Sequence, residues 1–187
     1  MQTFYFTDPG KVRSHNEDSV TIISNENKEY ILAIADGMGG HKAGEVASRI
    51  AIEHIKDSFY SLETLGNKDT AVEWLRLIVK EINEKIFDYA KKHPESKGLG
   101  TTLVIAIKTE NYILYGNIGD SSGYVIKNNT LHKVTKDHTY VGMLINNGKL
   151  SEEYAEKLYE LRKHKGMTIE QAKELILDPD YYGMMMV

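Results

Sequence analysis

Carboxylates that adjoin glycines are the side chains of this sequence with the clearest capacity for chemistry. An apolar run at residues 30–35 leads into Asp36 and the segment GMGG at residues 37–40, and a helical pattern begins at Ala43. A strand that delivers a carboxylate into a glycine turn ahead of a helix can present oxygen ligands and bare backbone to a divalent cation and a phosphate. An Asp-Gly hairpin turn is the simpler alternative, but a helix follows rather than a partner strand. An unpaired carboxylate at the end of a buried strand would also be costly, and a metal ion would remove that cost.

Two further segments place carboxylates beside predicted strands. In the segment RSHNED, Arg13 precedes Glu17 and Asp18 by four and five residues, and it could bring donors for phosphate close to hard metal ligands. In the segment NIGDSS, Asp120 follows an apolar strand. Taken alone, a solvated charge cluster explains the first segment, whereas a turn and a functional carboxylate explain the second equally well. The three segments together predict metal-centred phosphate chemistry.

The composition excludes several other classes of function. With 187 residues, 41% of them hydrophobic and 27% charged, the chain is long enough for one domain over residues 1–187. It contains no cysteine, which excludes thiolate catalysis, iron–sulfur clusters and disulfides and suits a reducing compartment. A formal net charge of −4 argues against nucleic-acid binding. No run approaches the ~20 apolar residues that span a bilayer, so we expect a cytoplasmic protein without a membrane segment.

Hydrophobic periodicity predicts the elements that must position these carboxylates. Residues 19–24 and 30–35 predict a β-hairpin, after which two amphipathic helices are separated by Gly66-Asn67 and ended by His93-Pro94. Their apolar faces carry Ala47, Ile50, Ala51, Ile55 and Phe59 in the first helix and Ala71, Leu75, Ile78, Ile82, Ile86 and Tyr89 in the second. An antiparallel meander is then predicted at residues 101–107, 112–118, 123–126 and 131–134. Strands, a helix pair and more strands favour an α+β layered domain over a Rossmann-type fold.

The last part of the sequence, residues 151–187, is of a different kind. Ser151 followed by two glutamates suits a helix start, and a basic turn that reaches Gly166 suits its end. Thr168 and Gln171 have the spacing of a capping box for a short second helix. We interpret this part as a helical, flap-like segment that follows a motif-bearing core at residues 1–150.

The order of the motifs resembles that of a known enzyme family. Five segments carry the likeness: Gly10 with residues 13–19 (RSHNEDS), and residues 35–48 (ADGMGGHKAGEVAS), 100–104 (GTTLV), 116–124 (GNIGDSSGY) and 131–138 (LHKVTKDH). Over residues 1–150 the chain is similar to the metal-dependent protein phosphatases of type 2C in their bacterial form. The segment at residues 35–48 is specific by itself, whereas the shorter ones gain their weight from their order.

The resemblance implies a fold and a reaction. The fold is an antiparallel β-sandwich flanked by helix pairs, in four αββα layers. The reaction is the hydrolysis of phosphoserine or phosphothreonine in proteins by metal-activated water, and Arg13 would bind the substrate phosphate. The partners would be phosphorylated proteins involved in signalling, with a cognate serine/threonine kinase pathway.

The same resemblance implies a centre for two Mn²⁺ or Mg²⁺ ions. Asp36 would bridge the two ions, the Gly37 carbonyl would complete one shell, and Glu17 and Asp18 would act directly or through ordered water. Asp120 corresponds to a position that helps to hold a third ion. Two cations ~3.5–4 Å apart can lower the pKa of a shared water and neutralise charge on phosphoryl oxygens, which suits a centre of this kind.

The chain also departs from the family pattern. Members continue into strands with a further Asp-Gly motif and a late aspartate, and residues 151–187 contain neither, since Asp178 and Asp180 lie in a different context. We therefore expect the family domain to be incomplete at its C-terminus. His41 is either a proton donor or a structural histidine. The alternative function is a truncated or inactive phosphatase-like module that binds phosphoproteins or a partner without turnover.

Overall fold

The computed structural model describes residues 1–12, 14–39, 43–96, 98–138, 159–160, 163 and 168–171. In chain order the elements are β1 (Asp18–Ser24), β2 (Tyr30–Met38), α1 (Ala43–Tyr60), α2 (Lys68–Lys92), a 3₁₀ turn (Pro94–Ser96), β3 (Gly100–Thr101), β4 (Leu103–Lys108), β5 (Ile113–Ile118), β6 (Tyr124–Lys127) and β7 (Thr130–Lys133). The chain divides into two compact units, Met1–Asp137 and His138–Val187, and all of these elements belong to the first unit.

The strands of the first unit form two antiparallel sheets. The larger sheet has the order β1-β2-β4-β5, with the short β3 also paired to β2, and β6 pairs with β7 in the smaller one. Successive residues of a strand point to opposite faces of the sheet. In β2 the side chains of Ile31, Ala33 and Ala35 are buried on one face, whereas Ile34 and Asp36 are exposed on the other. The sheet therefore has one buried face and one face that carries Asp36.

The helices α1 and α2 pack on the buried face of the larger sheet. Their apolar stripes and the inward residues of β1, β2 and β4 form one core cluster: Ile23, Ile31, Ala33, Ala35, Ala51, Ile52, Ile55, Phe59, Leu65, Ala71, Ile78, Ile82, Leu103, Ile105 and Ile107. The helices are also linked by polar contacts, because His54 Nε2 lies 2.7 Å from Glu81 Oε2 and Trp74 Nε1 donates to Ser58 Oγ at 3.2 Å. The predicted helix pair is thus confirmed.

The start and end of α2 follow the predicted signals. The side chain of Asn67 caps the helix by accepting hydrogen bonds from the N–H groups of Asp69 at 2.8 Å and Thr70 at 3.0 Å. Lys91 and Lys92 lie in the last turn, where positive charge interacts favourably with the helix dipole. The place of the two lysines is therefore explained by the end of the helix.

A buried carboxylate connects the hairpin turn to the loop between the helices. Glu29 is 6% exposed. Its two oxygens accept hydrogen bonds from Asn25 Nδ2 at 2.7 Å, Thr64 Oγ1 at 2.7 Å and the Leu65 N–H at 2.9 Å. Because the buried charge is satisfied by three donors, it fixes the β1–β2 turn against the α1–α2 loop rather than destabilising the fold.

Two sequence-based expectations about β2 and its neighbour are corrected by the structure. Asp36 and Gly37 do not form a glycine turn after the strand; they lie inside β2, because β1 pairs with Asp36 and β3 pairs with Gly37 and Met38. The strand expected at residues 101–107 is divided at Thr102, although the register continues across the break. The reason is that the N–H of Asp36 donates to the hydroxyl of Thr102, at 3.1 Å.

Little of the second unit belongs to the part of the chain that the structure describes. Within it, the predicted capping box is confirmed, because the Thr168 N–H donates to Gln171 Oε1 at 3.0 Å and the Gln171 N–H donates to Thr168 Oγ1 at 3.3 Å. The rest of the predicted helical segment at residues 151–187 lies largely outside the described residues and stays a prediction. Among the residues described, no helix combines the length and apolar character that crossing a membrane requires.

Candidate active site

The register of β1 and β2 brings Asp18 and Asp36 together. The two residues are directly opposite each other at the end of the strand pair. The neighbouring pair is hydrogen-bonded, because the Gly37 N–H donates to the Glu17 carbonyl at 3.1 Å. In an antiparallel ladder the next pair is then a non-hydrogen-bonded one, in which the side chains lie on the same face and come closest. The hairpin thus places the two carboxylates side by side on the exposed face of the sheet.

Glu17 and the Gly37 backbone meet the first turn of α1 at Gly44. A Cβ built on Gly44 would lie 2.8 Å from both the carbonyl carbon and the oxygen of Gly37 and 3.0 Å from Cδ of Glu17. A Cβ on Gly37 would lie only 2.0 Å from the Gly44 carbonyl oxygen. Since neither glycine has room for a side chain, the close approach itself holds the Gly37 carbonyl beside the Glu17 carboxylate. A backbone carbonyl oxygen and a carboxylate therefore lie close together beside Gly44.

A threonine pair anchors the backbone of Asp36 from the other side. The Asp36 carbonyl accepts hydrogen bonds from the Thr102 N–H at 2.8 Å and from Thr101 Oγ1 at 2.9 Å. The Thr102 hydroxyl accepts from the Asp36 N–H and lies 2.7 Å from Ser121 Oγ. Ser121 directly follows Asp120 in the chain. Thr102 therefore connects the two segments that carry Asp36 and Asp120.

A buried serine of α1 anchors the backbone of Glu17. Ser48 is fully buried, and its hydroxyl donates to the Glu17 carbonyl at 2.6 Å. The same hydroxyl lies 3.0 Å from Ser19 Oγ, on the strand that begins at Asp18. Ser48 therefore attaches α1 to the Glu17 backbone and to the side chain of Ser19, which follows Asp18.

The predicted site residues are partly brought together. Asp18 and Asp36 share one face, and Glu17 lies beside Gly37, but no group of three or more His, Cys, Asp or Glu side chains among the described residues is arranged to hold a metal ion. The convergence of all four carboxylates on one centre stays a prediction. Asp36 is exposed. The expectation that its carboxylate is buried, and that its charge therefore reduces stability, is wrong. Arg13 and His41 lie outside the described residues.

The chemistry of these donors fits a hard divalent cation. The available ligands are carboxylate and carbonyl oxygens, which Mg²⁺ and Mn²⁺ prefer. Like charges directly opposite each other on neighbouring strands are unfavourable, and a cation next to Asp18 and Asp36 would offset their repulsion. The contact of Gly37 with Gly44 leaves the Gly37 carbonyl next to the Glu17 carboxylate without an intervening side chain.

Several supporting residues were not assigned a role from the sequence. Thr101 and Thr102 belong to the segment GTTLV, but nothing in the local sequence shows that their hydroxyls bond to Asp36. Ser48 likewise belongs to the segment at residues 35–48, and its own role is not evident from that segment. Their partners lie 66 residues away for Thr102 and 31 residues away for Ser48. The one indication in the sequence is a hydroxyl at an otherwise apolar, inward position. It predicts that the hydroxyl forms a hydrogen bond, but it does not predict with which residue.

Comparison with known proteins identifies relatives of the chain. The sequence pattern of the family described as Protein phosphatase 2C matches residues 11–175. The serine/threonine phosphatase stp of Listeria welshimeri is 39% identical over 155 residues, which are 83% of this chain and 62% of that protein. The crystal structure of Stp1 from Staphylococcus aureus superposes with a TM-score of 0.70 at 41% identity, over 80% of this chain and 59% of that one.

One solved relative was determined with metal ions. The catalytic domain of the serine/threonine protein phosphatase PstP, in complex with two manganese ions, superposes with a TM-score of 0.64 at 35% identity. The match covers 80% of this chain and 61% of that domain. The chain thus spans about three fifths of the length of these three relatives.

Proposed function

The chain belongs to the protein phosphatase 2C family, and on that premise we propose that it acts in the metal-dependent hydrolysis of phosphoserine and phosphothreonine in proteins. Serine/threonine phosphatases with 37–39% identity over most of the chain support this proposal. The substrates would be phosphorylated proteins, including those of a cognate serine/threonine kinase pathway. The absence of cysteine suits a reducing compartment, and we propose the cytoplasm.

One observation carries the proposal beyond sequence similarity. The ladder places Asp18 opposite Asp36 on the exposed face of the sheet, and the glycine contact places the Gly37 carbonyl beside the Glu17 carboxylate. A binding module without metal has no physical need for opposed carboxylates, because their repulsion reduces stability. The geometry is therefore explained best by cation binding.

The residues of the proposed centre divide into ligands and positioning groups. Asp36 and the Gly37 carbonyl would contact the ions, with Glu17 and Asp18 acting directly or through water, and Asp120 would help to hold a further ion. We propose two Mn²⁺ or Mg²⁺ ions, as the manganese complex of the relative PstP supports. When bound, such ions make a water molecule a stronger nucleophile and neutralise charge on the phosphoryl group.

The chain's own residues supply position and charge rather than covalent chemistry. Thr102 fixes the backbone of Asp36 in two directions, and Ser48 fixes that of Glu17. We propose that Arg13 binds the substrate phosphate, since a guanidinium can donate two parallel hydrogen bonds to phosphate oxygens. The reacting phosphate would then lie at the exposed end of the β1–β2 pair.

A second candidate function has support from one observation. The described residues contain no group of three or more His, Cys, Asp or Glu side chains arranged to hold a metal ion. A module with an incomplete centre would bind phosphoproteins without turnover. Phosphopeptide binding without phosphate release would distinguish it from an enzyme.

The decisive experiment compares two aspartate variants. Release of inorganic phosphate from a phosphothreonine peptide is measured at millimolar Mn²⁺, and Mn²⁺ binding is measured by calorimetry. Asp36→Asn is expected to abolish manganese-dependent release and to weaken Mn²⁺ binding, because it removes a charged ligand at nearly constant shape. Asp88→Asn removes the same charge from the exposed surface of α2 and is expected to behave as wild type.

The possible results separate the two functions. Full activity of Asp36→Asn would refute the proposed role of Asp36. Wild-type protein that binds the phosphopeptide but releases no phosphate would favour the second candidate.

A further inference from the structure

The strand β5 forms an open edge of the larger sheet. The one strand paired with it among the described residues is β4. Edge strands in soluble proteins are normally blunted by charges, proline or bulges. The sequence of β5, ILYGNI, contains no charged residue and no proline. Ile113, Tyr115 and Ile118 are 55%, 37% and 43% exposed, so this edge is apolar and unprotected by its own side chains.

Half of the backbone groups of β5 point away from the sheet. The Thr109 N–H donates to the Tyr112 carbonyl at the hairpin turn, which fixes the alternation of the β4–β5 ladder. By that alternation Leu114 and Gly116 direct their N–H and C=O groups toward β4, whereas Ile113 and Tyr115 direct theirs outward. Among the described residues, none bonds to these outward groups. An added strand would find a row of donors and acceptors already in place.

A groove lies directly beside this edge, between β5 and α2. It has a volume of about 310 Å³. Half-buried apolar residues of α2 form one wall, namely Val72, Leu75 and Val79, and Leu103 and Ile105 of β4 lie at its base together with Leu114 of β5. Leu75 packs directly on Gly116, where a Cβ would lie 2.9 Å from Leu75 Cδ2, so α2 and β5 are in contact along one side of the groove. The groove lies on the face toward which every second side chain of an added strand would point.

One cation stands at the rim of the groove. Arg76 is exposed on α2, lines the groove, and forms no ion pair within the described part of the chain. A carboxylate on an added strand would be able to pair with it. The arrangement of edge strand, apolar groove and cation corresponds to strand addition, in which backbone bonds supply affinity and alternate side chains supply specificity.

We propose that this edge binds an extended peptide segment of a partner protein, with alternating apolar side chains and an acidic residue that pairs with Arg76. The segment adds to β5 through the outward groups of Ile113 and Tyr115 and places its apolar side chains along α2. The site is separate from the carboxylates of β1 and β2, since β5 and β1 are at opposite edges of the sheet. Its occupation therefore recruits or anchors a partner protein away from the β1–β2 carboxylates.

A second copy of the chain is a poorer occupant. Pairing of β5 with β5 around a two-fold axis would keep both α2 helices on the same side of the joined sheet. Both Arg76 side chains would then share the same region with no carboxylate from β5, whose sequence has none. Like charges placed together oppose that dimer, whereas an acidic peptide is complementary.

The test uses two labelled peptides and the intact chain. Fluorescence anisotropy measures binding of an eight-residue peptide of alternating valine and threonine that ends in two aspartates, and of a matched peptide that ends in two lysines. We expect the acidic peptide to bind at least about tenfold more tightly at low salt. Arg76→Glu is expected to reverse that preference. Lys91→Glu makes the same charge change about 22 Å along the helix and is expected to preserve it.

A proline variant tests the strand pairing itself. Tyr115→Pro removes an outward N–H without removing a bond to β4, and proline is tolerated where a strand's N–H faces solvent. It is expected to weaken peptide binding about tenfold or more, whereas Tyr115→Ala keeps the N–H and retains most of the affinity. Circular dichroism checks that the variants fold, and if Tyr115→Pro does not, the Arg76→Glu comparison decides.

Three results would overturn the proposal. In the first, the acidic peptide does not bind at millimolar concentration. In the second, wild type and Arg76→Glu each bind the two peptides equally. In the third, the wild-type protein is a dimer in solution and Tyr115→Pro is a monomer. The last result would assign the edge to a second copy. None of these measurements depends on phosphatase activity, so the outcome stands apart from that of the proposed function.

Discussion

Replacing Gly44 by alanine sets two physical effects against each other at the candidate active site. Gly44 is the second residue of α1, and alanine is favoured over glycine inside a helix by about 1 kcal/mol. From helix propensity alone the variant should be more stable. The structure predicts the opposite, because the new Cβ would lie 2.8 Å from the Gly37 carbonyl group and 3.0 Å from Glu17 Cδ.

The contact distances decide which effect is larger. A Cβ closer than 3.0 Å to backbone atoms forces the backbone to move, and here the obstructing atoms belong to β2 rather than to a flexible side chain. Overpacking of this kind costs about 1–3 kcal/mol. The propensity gain is at most about 1 kcal/mol, so we expect a net loss of about 1 kcal/mol, or about 2–4 °C in Tm for a chain of this size.

The same displacement should affect metal binding more than stability. The Gly37 carbonyl and the Glu17 carboxylate are the groups that the new methyl pushes apart. Misplacing supporting groups of a metal site lowers affinity about 10–100-fold. Thermal unfolding followed by circular dichroism and calorimetry with Mn²⁺ measure the two effects on one sample. Arg49→Ala, at an exposed position of the same helix, is the control and should change Tm by less than about 1 °C.

The reasoning would be refuted by a Gly44→Ala protein with a higher Tm and unchanged Mn²⁺ affinity. That outcome would mean that the backbone of β2 yields at no cost, and the close approach would then have no role in holding the donors. A lower Tm with unchanged affinity would separate packing from the proposed metal site.

Three further outcomes are expected. Ser48→Ala should lower the free energy of unfolding by about 0.5–1.5 kcal/mol, because the Glu17 carbonyl loses one of its two donors and keeps the Gly37 N–H; urea titration measures the change. Glu29→Gln should cost about 1.5–3 kcal/mol in the same assay, because the bonds from its donors lose their charge. Burial raises the pKa of Tyr112, so its neutral hydroxyl contributes stability below the ordinary tyrosine pKa and loses it as the pH rises through the folded value. Wild type should therefore lose more stability than Tyr112→Phe between pH 9 and 11, as measured by Tm across about that range.

The secondary structure was predictable where a pattern is local. The helices α1 and α2 and the strands of the hairpin follow from apolar spacing, and the cap at Asn67 and the capping box at Thr168 follow from side chains that bond within one turn. Such features depend on contacts between residues that are only a few positions apart. These contacts can be predicted directly from the spacing of residues in the sequence.

The conformation of Asp36 was not predictable in the same way. Glycines around an aspartate predict a turn, but the segment is a strand because β1 pairs with Asp36 and the distant β3 pairs with Gly37 and Met38. The exposure of Asp36 follows from the same pairing, since the ladder decides which face each residue takes. Residue types thus indicated the chemistry of the site, while long-range hydrogen bonds determine its geometry.

The inclusion of Asp36 and Gly37 in the ladder has a consequence for dynamics. The amides of both residues are bonded, that of Gly37 to Glu17 and that of Asp36 to Thr102, so amide hydrogen exchange at either position requires separation of strands. A loop could fluctuate by itself, but the amide hydrogen bonds of Asp36 and Gly37 break only when neighbouring strands of the sheet separate. We expect their exchange protection to approach that of Ala33 and Ala35 in the same strand, and the site to persist until the sheet itself unfolds.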